Sequence, residues 1–320
     1  MSQRHRKRPQ ASILIPTRNA GPGFSATLEA IRGQQTDHPF ELVVVDSGSR
    51  DHTVELAQAA GAVVRSIPPE DFGHGRTRNM LASLANGHWL VFLTQDALPA
   101  DERWLDRLLA RLAEPKVAAV FGRQLPRPGA SLLQVHHLSW WYPEGPNRWS
   151  LLIPSDAHIN RLFYSHVNSA FKREVWEALP FDEALVMSED QEWSRRALLA
   201  GWEIVYEPSA VVIHSHSQAL LQTFRRHFDS GASLTMITTD TEHDWFRLGL
   251  GYLASELRFL WTRRALSMLP YTIVFEAARY AGFRLGGQHR RLPRSLKMRL
   301  GEHRAIWAAS ADRHRAERRG

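Results

Sequence analysis

The 320-residue sequence has no cysteine, which narrows the chemistry open to this protein. Without a thiol the chain forms no disulfide, binds no metal through sulfur and has no cysteine nucleophile. It also shows no apolar run of signal-peptide length. The longest uncharged stretch of its C-terminal third, residues 265–275, contains Pro270. We therefore expect a cytoplasmic protein without a membrane-spanning segment.

Two glycine-rich phosphate loops, G-x-G-x-x-G and G-x-x-x-x-G-K-[ST], are absent as well. Their absence argues against a dinucleotide-binding fold and against a P-loop fold. A nucleotidyltransferase is also disfavoured, because no glycine-rich triphosphate loop followed by a basic residue lies near the first apolar run.

Positive charge is concentrated at the two ends of the chain, whose net charge is +7. Residues 279–320 hold twelve Lys or Arg against three acids, and the first eight residues hold four basic residues and no acid. The part between them is net acidic. This distribution favours peripheral contact with the inner face of the cytoplasmic membrane over a nucleic-acid groove. A non-enzymatic basic protein that binds membrane or nucleic acid is the alternative, and no feature indicates an oligomeric state.

Short apolar runs alternate with helical stretches in residues 11–121, and this pattern predicts an α/β fold. We expect a mostly parallel nucleotide-binding sheet flanked by helices, with strands at residues 12–16, 41–45, 62–66, 88–93 and 117–121. Residues 123–165, rich in proline, glycine and aromatics, are predicted to form a loop over the substrate. We divide the chain into a disordered basic tail (1–10), a sheet domain (11–235) and a helical, basic C-terminal extension (236–320).

Polar residues follow the predicted strands, at the sheet edge where nucleotides bind in such folds. Each group alone also fits an ordinary turn or helix cap, but four groups on one edge indicate a ligand site. An aspartate there can accept hydrogen bonds from a pyrimidine base, and an arginine can pair with phosphate. The groups are Pro16-Thr17-Arg18-Asn19, Asp46-Ser47-Gly48-Ser49, Gly73-His74-Gly75-Arg76-Thr77-Arg78-Asn79 and Thr94-Gln95-Asp96.

Asp96 is poorly placed for packing, because it ends a buried apolar strand and residues 98–100 separate it from the next helix. A Mg²⁺ or Mn²⁺ ion bridging this carboxylate to a diphosphate would explain it. His214 and His216 alternate after a later strand, so both imidazoles can face one way. With 16 histidines in the chain, chance explains the pair alone; beside Asp96, one of them is a candidate metal ligand.

Glu189 and Asp190 begin a predicted helix and offer two candidates for a general base. A structural explanation competes with this one. Ser188 and Gln191 match a capping box, and acids in the first turn of a helix are favoured by its dipole. A helix N-terminus also lowers the pKa of a carboxylate, which would make either acid a weaker base.

The order of these motifs resembles the bacterial family 2 glycosyltransferases of the GT-A fold, and most closely their rhamnosyltransferase branch. The resemblance spans about residues 11–231. The Asp-x-Asp metal motif usual in this fold reads Thr94-Gln95-Asp96 here, with one carboxylate. The matching motifs are Ile15-Pro-Thr-Arg-Asn19, Val45-Asp-Ser-Gly-Ser49, Phe72-Gly-His-Gly-Arg-Thr-Arg-Asn79, Leu93-Thr-Gln-Asp-Ala97, Ser188-Glu-Asp190 and His214-Ser-His216.

The resemblance implies a role for each matched residue. It implies that Asp96 binds the metal together with one of the two histidines, His214 or His216. It does not distinguish between these two. Asp190, the second acid of its pair with Glu189, would be the general base. The donor site would contain Pro16, Thr17, Arg18, Asp46, Gly75, Arg78, Asn79, Gln95 and Asp96.

The implied reaction is an inverting transfer of a sugar from a nucleoside diphosphate to a hydroxyl of a surface-polysaccharide or lipid-linked glycan. On the resemblance alone the donor is dTDP-L-rhamnose, and the alternative is the same chemistry with a UDP- or GDP-hexose. The hypothesis requires that Asp46, Asp96 and Asp190 share one cleft.

Overall fold

The computed structural model describes residues 8–150, 158, 162–216 and 219–308. Most of the tail predicted at residues 1–10 lies outside the described residues, and so does the end of the basic C-terminal segment. The nine strands within these residues are β1 (Ala11–Thr17), β2 (Phe40–Asp46), β3 (Val63–Ser66), β4 (Trp89–Leu93), β5 (Leu98–Pro99), β6 (Val117–Leu125), β7 (Asn147–Trp149), β8 (Asn168–Lys172) and β9 (Glu203–Ile213).

Eleven α-helices of the described residues surround and extend this sheet. They are α1 (Phe24–Arg32), α2 (Thr53–Ala59), α3 (His74–Leu84), α4 (Trp104–Leu112), α5 (Leu132–Trp141), α6 (Arg173–Ala178), α7 (Glu189–Leu199), α8 (Leu220–Ile237), α9 (Glu242–Thr262), α10 (Leu269–Gly287) and α11 (Arg294–Leu300).

The strands form one mixed sheet in the order β3-β2-β1-β4-β8-β6-β9-β5, with β7 paired to β9. Strands β1 to β4 are mutually parallel, as the alternating pattern predicts. Strand β8 is antiparallel to both of its neighbours, β4 and β6, and β6 is parallel to β9. Strands β4, β6 and β9 therefore run in the same direction. Their carboxyl ends lie on the edge where β1 and β2 also end and where β8 begins.

The sheet is buried on both faces, because its central strands alternate between two hydrophobic cores. Leu14 and Val43 point into the core covered by α3, α5 and α7. Ile13, Ile15 and Val44 point into the core covered by α1, α2 and α4. Strands that are apolar on both faces are typical of parallel sheets with helices on each side, and this explains the run of β-branched residues in β2.

The predicted loop at residues 123–165 was wrong. Residues 123–165 are not simply a loop, since they contain α5 and β7; residues 151–157 and 159–161 of that stretch lie outside the described part. Helix α5 has apolar residues around most of its surface, so it lacks the period by which an amphipathic helix is recognised. Strand β9 is continuous over Glu203–Ile213, and α3 begins at His74.

The C-terminal helices pack closely through glycines. Gly231 of α8 lies against the backbone carbonyl of Phe283, and Gly286 of α10 lies against that of Phe228, so a Cβ at either glycine would collide with backbone. Helix α8 therefore packs against α10 and runs across the domain boundary predicted at residue 235. Among the residues that the structure describes, no helix has the length and apolarity needed to cross a membrane.

Candidate functional site

The ends of β1, β2 and β4 meet at one edge of the sheet through side-chain bonds. Thr17 and Asp46 are partners in the β1–β2 register, and the Thr17 hydroxyl donates to Asp46 Oδ1 at 3.0 Å. Gln95 lies beside the end of β1, where its Oε1 accepts from the Arg18 N–H at 2.8 Å and its amide donates to the Arg18 carbonyl at 3.2 Å. Pro16 is partly buried at the same edge, and the Arg18 side chain is exposed there.

Asp46 is enclosed by the turn that follows β2. Its carboxylate accepts from the hydroxyls of Thr17 and Ser49 and from the N–H groups of Gly48 and Ser49, and the residue is 1% exposed. Ser49 does not cap the next helix, because α2 begins at Thr53 with His52 as its N-cap. Asp46 thus holds the turn in place, and its direct contact with a nucleoside stays a prediction.

Asp96, His214 and His216 form a cluster at the same edge, with ligand atoms that all lie within 4.8 Å of one another. Nε2 of His214 is 3.6 Å from one carboxylate oxygen of Asp96, and Nε2 of His216 is 3.0 Å from the other. Nδ1 of His214 is 2.9 Å from Oε1 of Gln124, a buried side chain of β6. This bond assigns the proton to Nδ1 and leaves Nε2 of His214 free to bind a cation.

The protonation states of the cluster suit a metal ion. Burial lowers the pKa of His214 to about 4, so its imidazole is neutral at neutral pH. Burial would raise the pKa of Asp96, but the hydrogen bond from His216 and the nearby charges of His214, His216 and Arg127 bring it to about 2. One carboxylate and two imidazole nitrogens fit a divalent cation, and binding to His216 would release the Nε2 proton that this side chain donates to Asp96.

Arg127 belongs to this cluster and was not among the predicted residues. Its guanidinium donates to the Asp96 carbonyl at 2.5 Å and lies 3.9 Å from the Asp96 carboxylate. Its backbone N–H donates to the Ser215 hydroxyl at 3.1 Å, which joins the segment after β6 to the one after β9. Arg127 follows the end of β6, so the strand-end rule that indicates Asp96 would also have indicated it.

Glu189 and Asp190 occupy the first turn of α7 but have different partners. Oε1 of Glu189 lies 2.8 Å from Nη1 of Arg78, and both side chains are nearly buried, at 4% and 9% exposure. Asp190 has no cation against it within the described residues; its carboxylate accepts from the N–H groups of Gln191 at 2.9 Å and His166 at 3.4 Å. Glu189 is therefore neutralised by Arg78, which leaves Asp190 as the better candidate for a base.

Burial raises the pKa of Asp190 to about 7, and the neighbouring carboxylate of Glu189 adds to the rise. Arg78 and the two backbone N–H groups act in the opposite direction but do not compensate for the loss of water. The expected lowering of this pKa by the helix N-terminus was wrong for Asp190, because desolvation is the larger effect. A carboxylate with a pKa near 7 is well matched to general-base catalysis at neutral pH.

The predicted capping box at Ser188 is also wrong. Ser188 has a left-handed conformation, with φ of 63°, and its side chain makes no capping hydrogen bond. This conformation is uncommon for serine and disfavoured by roughly 1–2 kcal/mol, so other contacts must hold the turn. The turn starts α7 where Glu189 meets Arg78 and Asp190 meets the N–H of His166.

Strand β8 connects Asp190 to the Asp96 cluster. Val167, just before β8, accepts through its carbonyl from the Thr94 N–H at 3.2 Å, and Thr94 is two residues before Asp96. The preceding residue, His166, donates its N–H to Asp190. The candidate base and the candidate metal ligands therefore lie at the same sheet edge, separated by the start of β8.

The structure places Gly75 and Asn79 away from open space, against the 176–183 segment. A Cβ on Gly75 would collide with the Asp182 carbonyl. The Asn79 amide makes four protein hydrogen bonds, two with the Phe181 backbone and one each with the side chains of Trp176 and Glu183, at 2.9 to 3.0 Å. Gly75 and Asn79 thus fasten α3 to this segment, and their contact with a donor stays a prediction.

A cavity of about 450 Å³ opens beside the metal-ligand cluster. His214 and His216 are part of its lining, and helices α5, α8, α9 and α10 supply much of the remaining wall. Its lining combines aromatic rings with hydroxyls, imidazoles and the guanidinium groups of Arg226 and Arg279. A wall of this composition is typical of a site that binds a sugar or another polar group.

Residues 12–179 match the family model described as glycosyl transferase family 2. The chain is 33% identical to the O-antigen chain rhamnosyltransferase RfbN of Salmonella typhimurium, over 92% of this chain and 95% of that protein. It is 31% identical to the O-antigen chain rhamnosyltransferase WbaN of Salmonella anatum, over 93% and 96% of the two chains. The mannosyltransferase PcManGT from Pyrobaculum calidifontis, in complex with GDP-Man and Mn²⁺, has a similar structure, with a TM-score of 0.55, 20% identity, and coverage of 96% of this chain and 87% of that one.

Proposed function

The chain belongs to glycosyl transferase family 2 and has the GT-A fold, and we propose that it is an inverting rhamnosyltransferase. In this proposal L-rhamnose passes from dTDP-L-rhamnose to a hydroxyl of a surface-polysaccharide or lipid-linked glycan. The donor is inferred from the two O-antigen rhamnosyltransferases, which the chain matches over nearly its whole length. The observation that carries the reaction type is the position of Asp190, with its raised pKa, at the same sheet edge as the metal-ligand cluster.

In the proposed reaction Asp190 is the general base. Its carboxylate accepts the proton of the acceptor hydroxyl as the hydroxyl oxygen bonds to the anomeric carbon of the donor. The bond from that carbon to the diphosphate breaks on the opposite face, so the configuration is inverted and nucleoside diphosphate leaves. Glu189, paired with Arg78, does not accept the proton; the pair holds the first turn of α7 and so positions Asp190.

Asp96 and His214 would hold the divalent cation, with His216 as a further ligand. When bound, such an ion supplies Lewis-acid stabilisation of the charge on the departing diphosphate. Arg127 adds a guanidinium at the same place and can donate to phosphate oxygens. Because imidazole nitrogen is a poorer ligand for Mg²⁺ than oxygen is, the set Asp96, His214 and His216 favours Mn²⁺ of the two ions.

The cavity beside the cluster is the proposed acceptor site. Its lining includes His214 and His216 and combines the polar and aromatic groups that a sugar requires. An acceptor there would approach the donor from the side of the C-terminal helices. We also propose that the protein works in the cytoplasm, in peripheral contact with the inner face of the membrane, because a lipid-linked acceptor would be presented there.

A donor screen tests the proposed function. Purified protein is incubated with dTDP-L-rhamnose, UDP-hexoses or GDP-mannose, with Mn²⁺ or with a chelator, and released nucleoside diphosphate is measured. We expect the fastest release with dTDP-L-rhamnose, and loss of release with the chelator or in Asp96→Asn. Asp37→Asn, which changes an exposed acid outside the site, is the matched control and should keep full activity.

The outcomes separate the alternatives. Faster release from a UDP- or GDP-sugar would keep the transferase and replace the donor. Release of pyrophosphate from a nucleoside triphosphate and a sugar phosphate, supplied in place of the sugar nucleotide, would indicate a nucleotidyltransferase. No release from any sugar nucleotide, together with nucleic-acid or membrane binding that Asp96→Asn leaves intact, would favour the non-enzymatic alternative.

A further inference from the structure

The turn between α9 and α10 exposes an unusual number of hydrophobic side chains. We call residues 257–275, which contain this turn, the elbow. Fifteen large hydrophobic residues are exposed in the described part of the chain. Five of them lie inside the elbow, between positions 261 and 274: Trp261, Leu266, Tyr271, Ile273 and Val274. Trp261 is 68% exposed. Single exposed hydrophobic residues are ordinary, but a cluster of them marks a binding surface.

The backbone places these side chains around the connection between two helices. Helix α9 ends at Thr262, Arg264 adopts a left-handed conformation with φ of 56°, and a short 3-10 helix, Leu266–Met268, leads into α10. Ile273 and Val274 lie three and four residues after the exposed Pro270, so these three residues share one face of α10. The exposed apolar residues thus belong to the last turn of α9, the connection and the first turns of α10.

The elbow carries charge of one sign. Arg258, Arg263 and Arg264 are its only charged residues, and all three are exposed. The acids that flank it are not on its surface, since Glu256 is buried and Glu276 is half-buried and paired with Arg279. Exposed aromatic and aliphatic side chains surrounded by arginines match an anionic bilayer, whose interface accepts apolar side chains and whose head groups attract positive charge.

We propose that the elbow docks on a bilayer containing anionic lipids. Trp261, Ile273 and Val274 enter the interfacial region, and the arginines contact the head groups. A second copy of the chain is a poorer partner for this surface. In a two-fold symmetric dimer the elbow would face itself, so Arg258, Arg263 and Arg264 would meet the same three charges.

The elbow also borders the proposed acceptor cavity. Met268, Tyr271 and Phe275 line that cavity, and His214 lines it as well. Docking through the elbow would therefore bring this wall of the cavity near the bilayer, where the polar head of a lipid-linked glycan lies. The role of the elbow in bringing the cavity to a lipid-linked acceptor rests on the proposed function, whereas docking on the bilayer does not.

Vesicle binding of the purified full-length chain tests the proposal. We compare vesicles of phosphatidylcholine alone with vesicles that also contain phosphatidylglycerol, and we measure the bound fraction by sedimentation at low and high salt. The triple variant Trp261→Gln, Ile273→Gln, Val274→Gln should bind the anionic vesicles about tenfold more weakly or worse. The double variant Arg263→Gln, Arg264→Gln should lose about tenfold in affinity and much of the salt dependence.

Two further proteins serve as comparisons. Val63→Gln with Arg65→Gln, at an exposed hydrophobic residue and an exposed arginine of the edge strand β3, should bind like the parent. Removal of residues 309–320 tests whether the basic C-terminus alone accounts for binding, and it should weaken binding less than the elbow variants do. A cut before residue 279 would be unsuitable, because it falls inside α10.

The proposal is overturned if the parent does not bind anionic vesicles, or if the elbow variants bind them as well as the parent does. It is also overturned if the elbow variants convert a dimeric parent to a monomer, which would make the elbow a protein interface. Nucleoside diphosphate release in the absence of vesicles is measured in parallel and should be unchanged by all of these variants. A failure of docking is thereby distinguished from a failure of the transferase activity.

Discussion

Replacing Asp190 with asparagine should abolish transfer and at the same time remove a pH-dependent loss of stability. Asparagine has nearly the same shape but cannot accept the acceptor proton, so transfer should fall by roughly several hundredfold or more. In the parent, the rate should fall about tenfold per pH unit below the pKa of Asp190, which is about 7.

The stability effect follows from the difference between the folded and unfolded pKa of Asp190. Burial raises the folded pKa from the ordinary 3.8 to about 7. Below pH 3.8 the acid is protonated in both states. Between 3.8 and 7 only the unfolded chain ionises, so the parent loses unfolding free energy as pH rises through this window. Asparagine avoids this loss, and at about 1.4 kcal/mol per pH unit the variant should gain roughly 2 to 3 kcal/mol on the parent between pH 5 and pH 7.

Denaturant unfolding of both proteins from pH 5 to pH 8, with transfer assayed on the same samples, checks these numbers. Asp37→Asn, which removes an exposed carboxylate, should change neither quantity. The reasoning is refuted if the parent and Asp190→Asn differ in stability by the same amount at every pH. It is also refuted if the variant retains transfer.

Three further predictions concern residues around Asp190 and the metal-ligand cluster. Gln124→Ala should weaken Mn²⁺ binding by about 10- to 100-fold in a calorimetric titration, because His214 loses the partner that orients its ring. Arg127→Ala should raise the KM for the sugar nucleotide more than it lowers kcat, because the guanidinium binds ground-state diphosphate. Arg78→Ala should lower the unfolding free energy by about 3 to 5 kcal/mol, because Glu189 is left buried without its cation.

Each of these three predictions can be contradicted by a specific result. Unchanged Mn²⁺ affinity in Gln124→Ala would remove His214 from the ligand set. An unchanged KM in Arg127→Ala would show that its guanidinium serves only to hold the Asp96 backbone. If Arg78→Ala is as stable as the parent, then Glu189 is not an isolated buried charge, and its neutralisation by Arg78 does not explain why Asp190 is the base.

The sequence pattern predicted β1 to β4 and β6 and the edge where their polar residues collect, because both depend on short-range periodicity; it missed the two-residue strand β5. A histidine beside Asp96 was expected from the family resemblance, and His214 and His216 both lie there although more than a hundred residues separate them from Asp96 in the sequence. The partners of Asp46 and Asn79 could not be predicted. Whether a polar side chain faces a ligand or closes a turn depends on contacts with residues distant in the sequence.

Three further features could not be obtained from the sequence pattern. The pKa of Asp190 is set by burial against other elements, whereas the sequence shows only its position at a helix start. Helix α5 was missed because it is apolar around most of its surface and has little period. The elbow could be suspected from its composition, but only the fold shows that Trp261 and Ile273 are exposed while Phe228 of α8 is buried.

The most direct test of the account is a crystal structure with dTDP and Mn²⁺, in which anomalous scattering locates the metal. We predict a manganese peak within about 2.0 to 2.4 Å of an Asp96 carboxylate oxygen and of His214 Nε2. The diphosphate should lie between that ion and Arg127, with Asp190 facing the space beyond the outer phosphate. A nucleotide bound away from this sheet edge, or manganese bound without Asp96, would contradict the account.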